Sequence, residues 1–366
     1  MRYKKSSLFC LAFSLLFFIS LSAYLLRILN FSYENVSMNS TLQSSAIEAV
    51  AGNDADYIKW VDFNITSEAL SVAYNLDVES YAKPIHLNWV ELLAYAGAKS
   101  GGSFDKKSIS LIKKLASELE NGKTTLKDLT KEMKYYDYYL EAYDAVLGGM
   151  VGEYEIEQPD EDGGKRLKKV YGLKAFSPIA KGFPYSDYDD FGSSRSYGYK
   201  RQHLGHDMMG QIGTPIIAIE SGYVEALGWN QYGGWRIGIR SFDKKRYYYY
   251  AHLRQNFPYA LNLKEGSIVT AGDVIGYMGH TGYSTVENTN NIDIVHLHLG
   301  LQLIFDESQK EGANEIWIDC YELTKFLCKN RSETQKNTET KEWFRVYEMK
   351  DPNVSQYLND KQIPFE

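Results

Sequence analysis

The sequence predicts an α+β multidomain chain: an N-terminal transmembrane helix, a helical domain, a mainly antiparallel β domain, and a short helical C-terminal extension. Three observations carry this reading. An uncharged apolar run extends from Leu8 to Leu26, helical periodicity dominates residues 53–155, and the chain beyond residue 175 is rich in Gly, Tyr and β-branched residues with recurring turn signals. At 366 residues and 44% hydrophobic content the chain has material for about two cored domains, so a disordered chain is excluded. Its net charge of −7 repels polyanions, which argues against nucleic acid as a partner.

As a helix, the 19 residues from Leu8 to Leu26 would extend about 29 Å at ~1.5 Å per residue, matching a bilayer core of ~30 Å. Arg2, Lys4 and Lys5 precede the run and Arg27 follows it, so residues 1–29 read as a cytoplasmic tip and single-pass anchor that leaves 30–366 extracytoplasmic. The alternative is a cleaved signal peptide, with Ser20-Leu21-Ser22 as the cleavage site and a secreted product. Residues 30–52, rich in Ser, Asn and small residues, read as a stalk.

Residues 53–155 form the expected helical domain. Asn88 with Glu91 resembles a capping box ahead of Trp89, Leu92, Leu93 and Ala96. A second helix is expected from Asp105 to Glu120, stopped by Asn121-Gly122. A third carries Leu126, Leu129, Met133, Tyr136, Leu140, Tyr143 and Leu147 in a heptad stripe. That stripe suits either a seam to a second copy or partner protein, or a helix facing its own core. Glu91, Glu118 and Glu141 occupy ordinary positions of amphipathic helices and His86 stands alone, so no catalytic spacing is assigned to this domain.

Residues 156–175 change sign from acidic to basic across Gly163-Gly164 and read as a linker. The β domain is placed at 176–305. Strand-length runs at Ile216–Ile219, Tyr223–Leu227, Trp235–Ile239, Arg246–Ala251 and Val274–Tyr277 alternate with turn signals such as Gly213-Thr214-Pro215 and Ala271-Gly272-Asp273. Residues 306–366 form the extension. Cys320 and Cys328 are expected as free, buried thiols, because eight residues of helical rise would part them by about 12 Å.

Six of the seven histidines fall between residues 203 and 298. In Val295-His296-Leu297-His298-Leu299-Gly300-Leu301, a strand turns the leucines to one face and His296 and His298 to the other. His203 and Asp207 add an imidazole and a carboxylate, both good zinc donors, on a loop entering a strand. In Tyr248-Tyr249-Tyr250-Ala251-His252-Leu253, strand periodicity puts Tyr248, Tyr250 and His252 on one face, from which His252 reaches the same pocket. Tyr248 and Tyr250 suit a peptide groove or plain packing. His206 and His280 suit roles as extra metal ligands or, the reading preferred, as polar loop residues, and Trp229–Trp235 suits a hairpin turn or specificity loop.

The segment from about Phe191 to Leu303 resembles the zinc metallopeptidase family M23, the LytM-type family of lysostaphin and related cell-wall hydrolases. The family's H-x-x-x-D motif matches His203 to Asp207, its Y-A-H-L matches Tyr250 to Leu253, and its H-L-H matches His296 to His298. The resemblance implies an M23-type β fold with zinc held by His203, Asp207 and His298 and catalysis by His252 and His296. It further implies a zinc-dependent endopeptidase acting on peptidoglycan stems or cross-bridges, by metal-activated water, at the surface of a Gram-positive-type bacterium. Some relatives are non-catalytic scaffolds or activators that bind wall or partner proteins, and these typically lose ligands, whereas all five positions are present here. The chain departs from the family pattern at residues 286–295 (VENTNNIDIV), a longer polar loop before His296 that should border the cleft and alter substrate choice.

Overall fold

A computed structural model of the protein describes residues 57–362, apart from 198, 311 and 313. The expected membrane span at Leu8–Leu26 and the stalk at 30–52 lie outside the described residues. No described helix is long and apolar enough to cross a membrane.

The described chain opens with helices. Thr66 caps α1 (Ser67–Ser80) by accepting from the Ala69 amide. Asn88 caps α2 (Trp89–Ser100), its Oδ1 accepting from Val90 N at 2.9 Å and Glu91 N at 3.2 Å. Asp105 and Ser108 form a reciprocal capping box at the start of α3 (Lys106–Glu120). The expected third helix is instead two: a five-residue α4 (Leu126–Thr130), then α5 (Tyr136–Leu147). Leu126, Leu129 and Met133 are only half-buried, while Lys131, Glu132 and Lys134 between the two helices are exposed. The first half of the stripe therefore lacks the burial that sustains a helix in water. In α5 the stripe does face a core, through Tyr136, Tyr143 and Leu147.

The stretch expected as a linker is an antiparallel hairpin of β1 (Val151–Pro159) and β2 (Lys165–Leu173). The change of sign across Gly163-Gly164 is cross-strand pairing. Glu153 meets Lys169 at 2.8 Å, and Glu157 lies 3.9 Å from Lys165. Gly163, with φ of 79°, supplies the left-handed turn.

Beyond it the chain alternates short strands. These are β3 (Ser186–Asp187), β4 (Ser194–Tyr197), β5 (Tyr199–Gln202), β6 (His206–Met209), β7 (Pro215–Ile217), β8 (Gly222–Asn230), β9 (Gly234–Ser241), β10 (Arg246–Ala251), β11 (Ile268–Val269), β12 (Val274–Tyr277) and β13 (His296–Leu303). Antiparallel pairing orders the main sheet β11-β8-β9-β10-β13-β6-β3, while β7 with β12 and β4 with β5 form two-stranded ribbons. One face is apolar: Leu297, Leu299, Leu301 and Leu303, with Tyr248, Tyr250, Ile237 and Ile239, are all nearly or wholly buried. The other face carries the histidines.

The C-terminal extension is not simply helical. It adds β14 (Ile316–Trp317) beside β13, then α6 (Tyr321–Leu327), a ribbon of β15 (Thr334–Lys336) and β16 (Trp343–Arg345), β17 (Met349–Lys350) and α7 (Pro352–Lys361). β17 pairs with β1, so the extension closes onto the hairpin. Cys320 is buried as expected, but Cys328 is half-buried, its Sγ 2.7 Å from Tyr185 Oη.

The helices are tied to the sheet through a buried charge. Arg246, 1% exposed on β10, donates from Nε and Nη2 to Glu220 at 2.8 and 2.9 Å, and from Nη1 to Ala145 O at the end of α5 at 2.8 Å. Tyr248 Oη donates to the same Glu220 at 2.8 Å. Arg246→Ala leaves Glu220 charged, buried and short of its main partner, and should lower the unfolding free energy by about 3–5 kcal/mol. Urea unfolding monitored by circular dichroism tests this, and a loss below about 1 kcal/mol would show that the pair does not hold the two layers together.

Candidate metal centre and cleft

The site begins with two registers. Across the β13–β6 pair, His298 lies directly opposite Asp207, and across β13–β10 it lies opposite Ala251. His203, just before β6, closes the group. His298 Nδ1 is 2.9 Å from Asp207 Oδ1, His203 Nε2 is 3.0 Å from the same oxygen, and the two ring nitrogens are 3.0 Å apart. Gly205 permits this approach, because a Cβ there would stand 2.5 Å from His298 Cε1. Two imidazole nitrogens and a carboxylate oxygen meeting at one point are a donor set suited to zinc.

His203 Nδ1 is hydrogen-bonded to the main-chain O of Asp190 at 3.4 Å, and the Asp190 carboxylate stands beside it as a charge, its Oδ1 3.1 Å away without hydrogen-bond geometry. A histidine whose second nitrogen faces a carboxylate or carbonyl is the usual support for a metal-binding ring. Arg195 pairs with Asp190 and also reaches Asp207 Oδ2 at 3.4 Å.

His252 and His296 complete the cluster, their rings 4.7 Å apart, with His252 5.9 Å from His298. His296 Nε2 is 3.7 Å from Asp207 Oδ1. Each has its Nδ1 against a main-chain carbonyl, His252 at Thr281 O (2.9 Å) and His296 at Ile294 O (2.8 Å). With Nδ1–H donating there, Nε2 of each ring carries the lone pair.

His252 does not reach the cleft as strand periodicity suggests. Tyr248 and Tyr250 face the core, where Tyr250 Oη accepts from Ile219 N at 3.1 Å, while Tyr247 and Tyr249 line the cleft. β10 ends at Ala251, and His252 takes a φ of 62°, which reverses the alternation and turns its ring in beside Tyr249 and Ala251. The His252 amide donates to Gly233 O at 2.8 Å and its carbonyl accepts from Gly279 N at 3.0 Å, so this backbone is pinned on both sides.

Burial tends to raise the Asp207 carboxyl, but hydrogen bonds from His203 and His298 outweigh it and hold the group far below the usual carboxylate range. Burial lowers His252 well below the ordinary imidazole value, and His296 and His298 add to the shift. His298 is also lowered by burial, despite Asp207. Burial pulls His203 down as well, yet Asp207 and Asp190 raise it overall.

The cleft around these groups has a volume of about 920 Å³. Asn291 to Ile294 of the long polar loop and Asn230, Tyr232 and Gly233 at the β8–β9 turn line it, so both segments border the site. His280 accepts no place in the cluster. Its Nδ1 is 2.7 Å from Ile292 O, tying that loop down. His206 is a core residue rather than a loop one, 2% exposed, with Nδ1 2.8 Å from Thr324 Oγ1. His86 pairs with buried Asp77 at 2.8 Å, away from the cleft. Asp190, Arg195, Arg201, Arg236 and Tyr249 were not singled out by sequence. Position two before His203 marks Arg201 as a candidate, but only the folded sheet brings the others to the site.

Fold and site together define a class: mainly antiparallel β domains built around a His/Asp/His donor set with two further histidines in the same cleft. Residues 201–310 match the family model of Peptidase family M23, and the chain carries an M23 domain there. It is similar to the L-Ala--D-Glu endopeptidase of Bacillus subtilis (strain 168), 39% identical over 140 residues that make up 37% of this chain and 41% of that protein. It is also similar to lysostaphin of Staphylococcus simulans, 43% identical over 84 residues, 23% of this chain and 16% of that one. Among solved structures, the catalytic domain of the antimicrobial peptidase lysostaphin from Staphylococcus simulans is 31% identical with a TM-score of 0.30, covering 38% of this chain and 92% of that chain. The chain thus spans about two fifths or less of the length of these curated relatives.

Asp190→Asn should weaken zinc binding by about 10–100-fold, the range for loss of a carboxylate behind a metal-binding histidine. Competition against a chelating dye measures this, and unchanged affinity would mean that Asp190 does not orient His203.

Proposed function

We propose that the protein is a zinc-dependent endopeptidase that hydrolyses peptide bonds in peptidoglycan stems or cross-bridges. The observation that carries this reading is the convergence of the His203/Asp207/His298 donor set with two imidazoles whose free nitrogens face one open cleft. The M23 match and the relatives named as endopeptidases support it.

His203, Asp207 and His298 would hold the metal. When bound, zinc supplies Lewis acidity toward a carbonyl oxygen and toward water. The chain's own groups handle the protons. One of His252 and His296 would take the proton of the attacking water at Nε2 and, as the imidazolium so formed, return it to the leaving amine; the other would hydrogen-bond the developing oxyanion only in its form protonated at Nε2. The carbonyls of Thr281 and Ile294 fix the tautomers, so neither ring must reorganise before accepting a proton. Tyr249, half-buried, lines the cleft beside these rings.

We further propose that the chain works outside the cytoplasmic membrane, anchored through Leu8–Leu26. The apolar run and the basic residues before it support this placement.

The decisive experiment digests purified peptidoglycan with the zinc-loaded full chain in detergent and identifies products by mass spectrometry. New amine termini are expected with the unmutated protein and none with His296→Ala, which should retain its zinc. A folded, zinc-loaded protein that releases no product would overturn the reading in favour of a non-catalytic scaffold.

Where His252 is the ring that takes the proton, its acidity sets the acid limb of the pH profile. Its pKa is lowered by burial and by the neighbouring histidines, so the neutral ring persists below the ordinary value. The ratio kcat/KM should therefore stay flat as pH falls through about 6.5, where an exposed imidazole would already be half protonated. An acid limb centred at 7 or above would contradict the assignment.

A further inference from the structure

The chain carries a net charge of −7, yet its cleft holds two guanidinium groups with no carboxylate partner. Arg201 lies on β5, two residues before His203, and Arg236 lies on the cleft face of β9. Among the described residues neither forms an ion pair, and the Nε of each is buried without a hydrogen-bond partner. Three other arginines are paired with carboxylates. Arg240 pairs with Glu307 at 2.7 Å, Arg246 with Glu220 at 2.8 Å, and Arg195 with Asp190. The further carboxylates of the cleft leave the two free as well: Asp293 is exposed on the rim, and Glu315 accepts from the Trp317 indole at 2.8 Å.

The Arg201 guanidinium is braced by aromatic rings. Arg201 stands 5.0 Å from the Tyr283 ring centroid, and that ring is 6.0 Å from His252, so Arg201 is one ring away from the proposed proton-transfer pair. Burial raises the pKa of the Tyr247 hydroxyl, and the charge of Arg236 bears on that group and lowers it in part. The charges of both arginines reach the buried Tyr249 hydroxyl, whose pKa is raised by burial and partly pulled back by them. A positioned planar fork with unused N–H groups suits a carboxylate, which can accept two parallel bonds from it.

We propose that Arg201 and Arg236 bind a carboxylate of the substrate, so that the peptide cut in this cleft carries a free acid group close to the scissile bond. This rests on the endopeptidase reading and refines it: the substrate class is an acidic stem-type peptide rather than a neutral one. The two arginines are specificity residues. An amidated peptide offers the cleft a carboxamide whose N–H groups face the guanidinium donors, so discrimination arises from an unpaired donor as well as from lost attraction.

The test uses the zinc-loaded full chain with two peptides that differ in one group, L-Ala-γ-D-Glu-L-Lys-D-Ala and its isoglutaminyl twin. The ratio kcat/KM should be at least tenfold higher for the free acid. In Arg201→Gln and Arg236→Gln that ratio of ratios should fall toward one, and Arg201→Lys, which keeps charge but not the fork, should fall between. Calorimetry of both peptides on His296→Ala reads the same preference without turnover, so the carboxylate site is decided even by a protein that cuts nothing. Equal cleavage of the two peptides, or a preference for the amide, would overturn the inference and leave the endopeptidase reading standing. Failure to cut either peptide or whole peptidoglycan, with tighter binding of the acid, would instead overturn the endopeptidase reading and keep the carboxylate site.

Discussion

The two-residue period of one strand governs the site. In β13 the odd positions Leu297, Leu299, Leu301 and Leu303 are nearly or wholly buried in the core, which obliges His296, His298, Gly300 and Gln302 to face the cleft. A slip of one residue would drive imidazoles into the core and leucines into water, so burial of four leucines selects the register that places His298 opposite Asp207. Stability and chemistry thus share one constraint. The same register leaves Gly300 under Trp317, where a side chain would collide with the indole, and so lets β14 close the far end of the cleft.

Much of this was legible because it is local. β10 and β12 run over the residues that alternation and turn signals predicted, Arg246–Ala251 and Val274–Tyr277. The five residues of the expected site are brought together in one cleft. Three features were hidden for a common reason. The β1–β2 hairpin looked like a charged linker, since its two arms stabilise each other only after Glu153 and Glu157 face Lys169 and Lys165, and β17 joins from nearly two hundred residues away. The entry of His252 into the cleft, on the side opposite Tyr248 and Tyr250, follows from its left-handed backbone, a conformation that non-glycine residues seldom adopt and no periodicity announces. The break between α4 and α5 reflects missing burial, a quantity that belongs to the partner surface and not to the stripe itself.

Overall charge and the charge lining the cleft differ in sign. The net charge of −7 argues against a polyanion such as nucleic acid, but fields at a site are set by nearby, weakly screened charges rather than by the sum over the surface. Here the acids close to the donor set are already engaged, Asp207 with His203 and His298 and Asp190 with Arg195, whereas two arginines on the wall are not. The local balance beyond the metal donors is therefore positive.

The long loop before His296 shows how such a cleft can be given a fixed rim. Asn288, with φ of 62°, uses one side chain and its own carbonyl to gather three partners: its Oδ1 accepts from Trp235 Nε1 at 2.9 Å and from Asn256 N at 2.8 Å, and its main-chain O accepts from Gln255 Nε2 at 2.6 Å. Asn288 Nδ2 returns a bond to Asn256 Oδ1 at 2.7 Å. These contacts join the loop to the turn that follows His252, and His280 fixes its further end at Ile292. A ten-residue polar insertion would otherwise have to be ordered by the substrate on binding, at an entropic cost for every immobilised side chain. Because the amide network orders it beforehand, the loop can act as a wall whose shape selects among peptides, and the carbonyl of Ile294 at its end is the same group that sets the His296 tautomer. The segment in which this chain departs most from the family pattern thus bears directly on the orientation of a histidine that the family pattern retains.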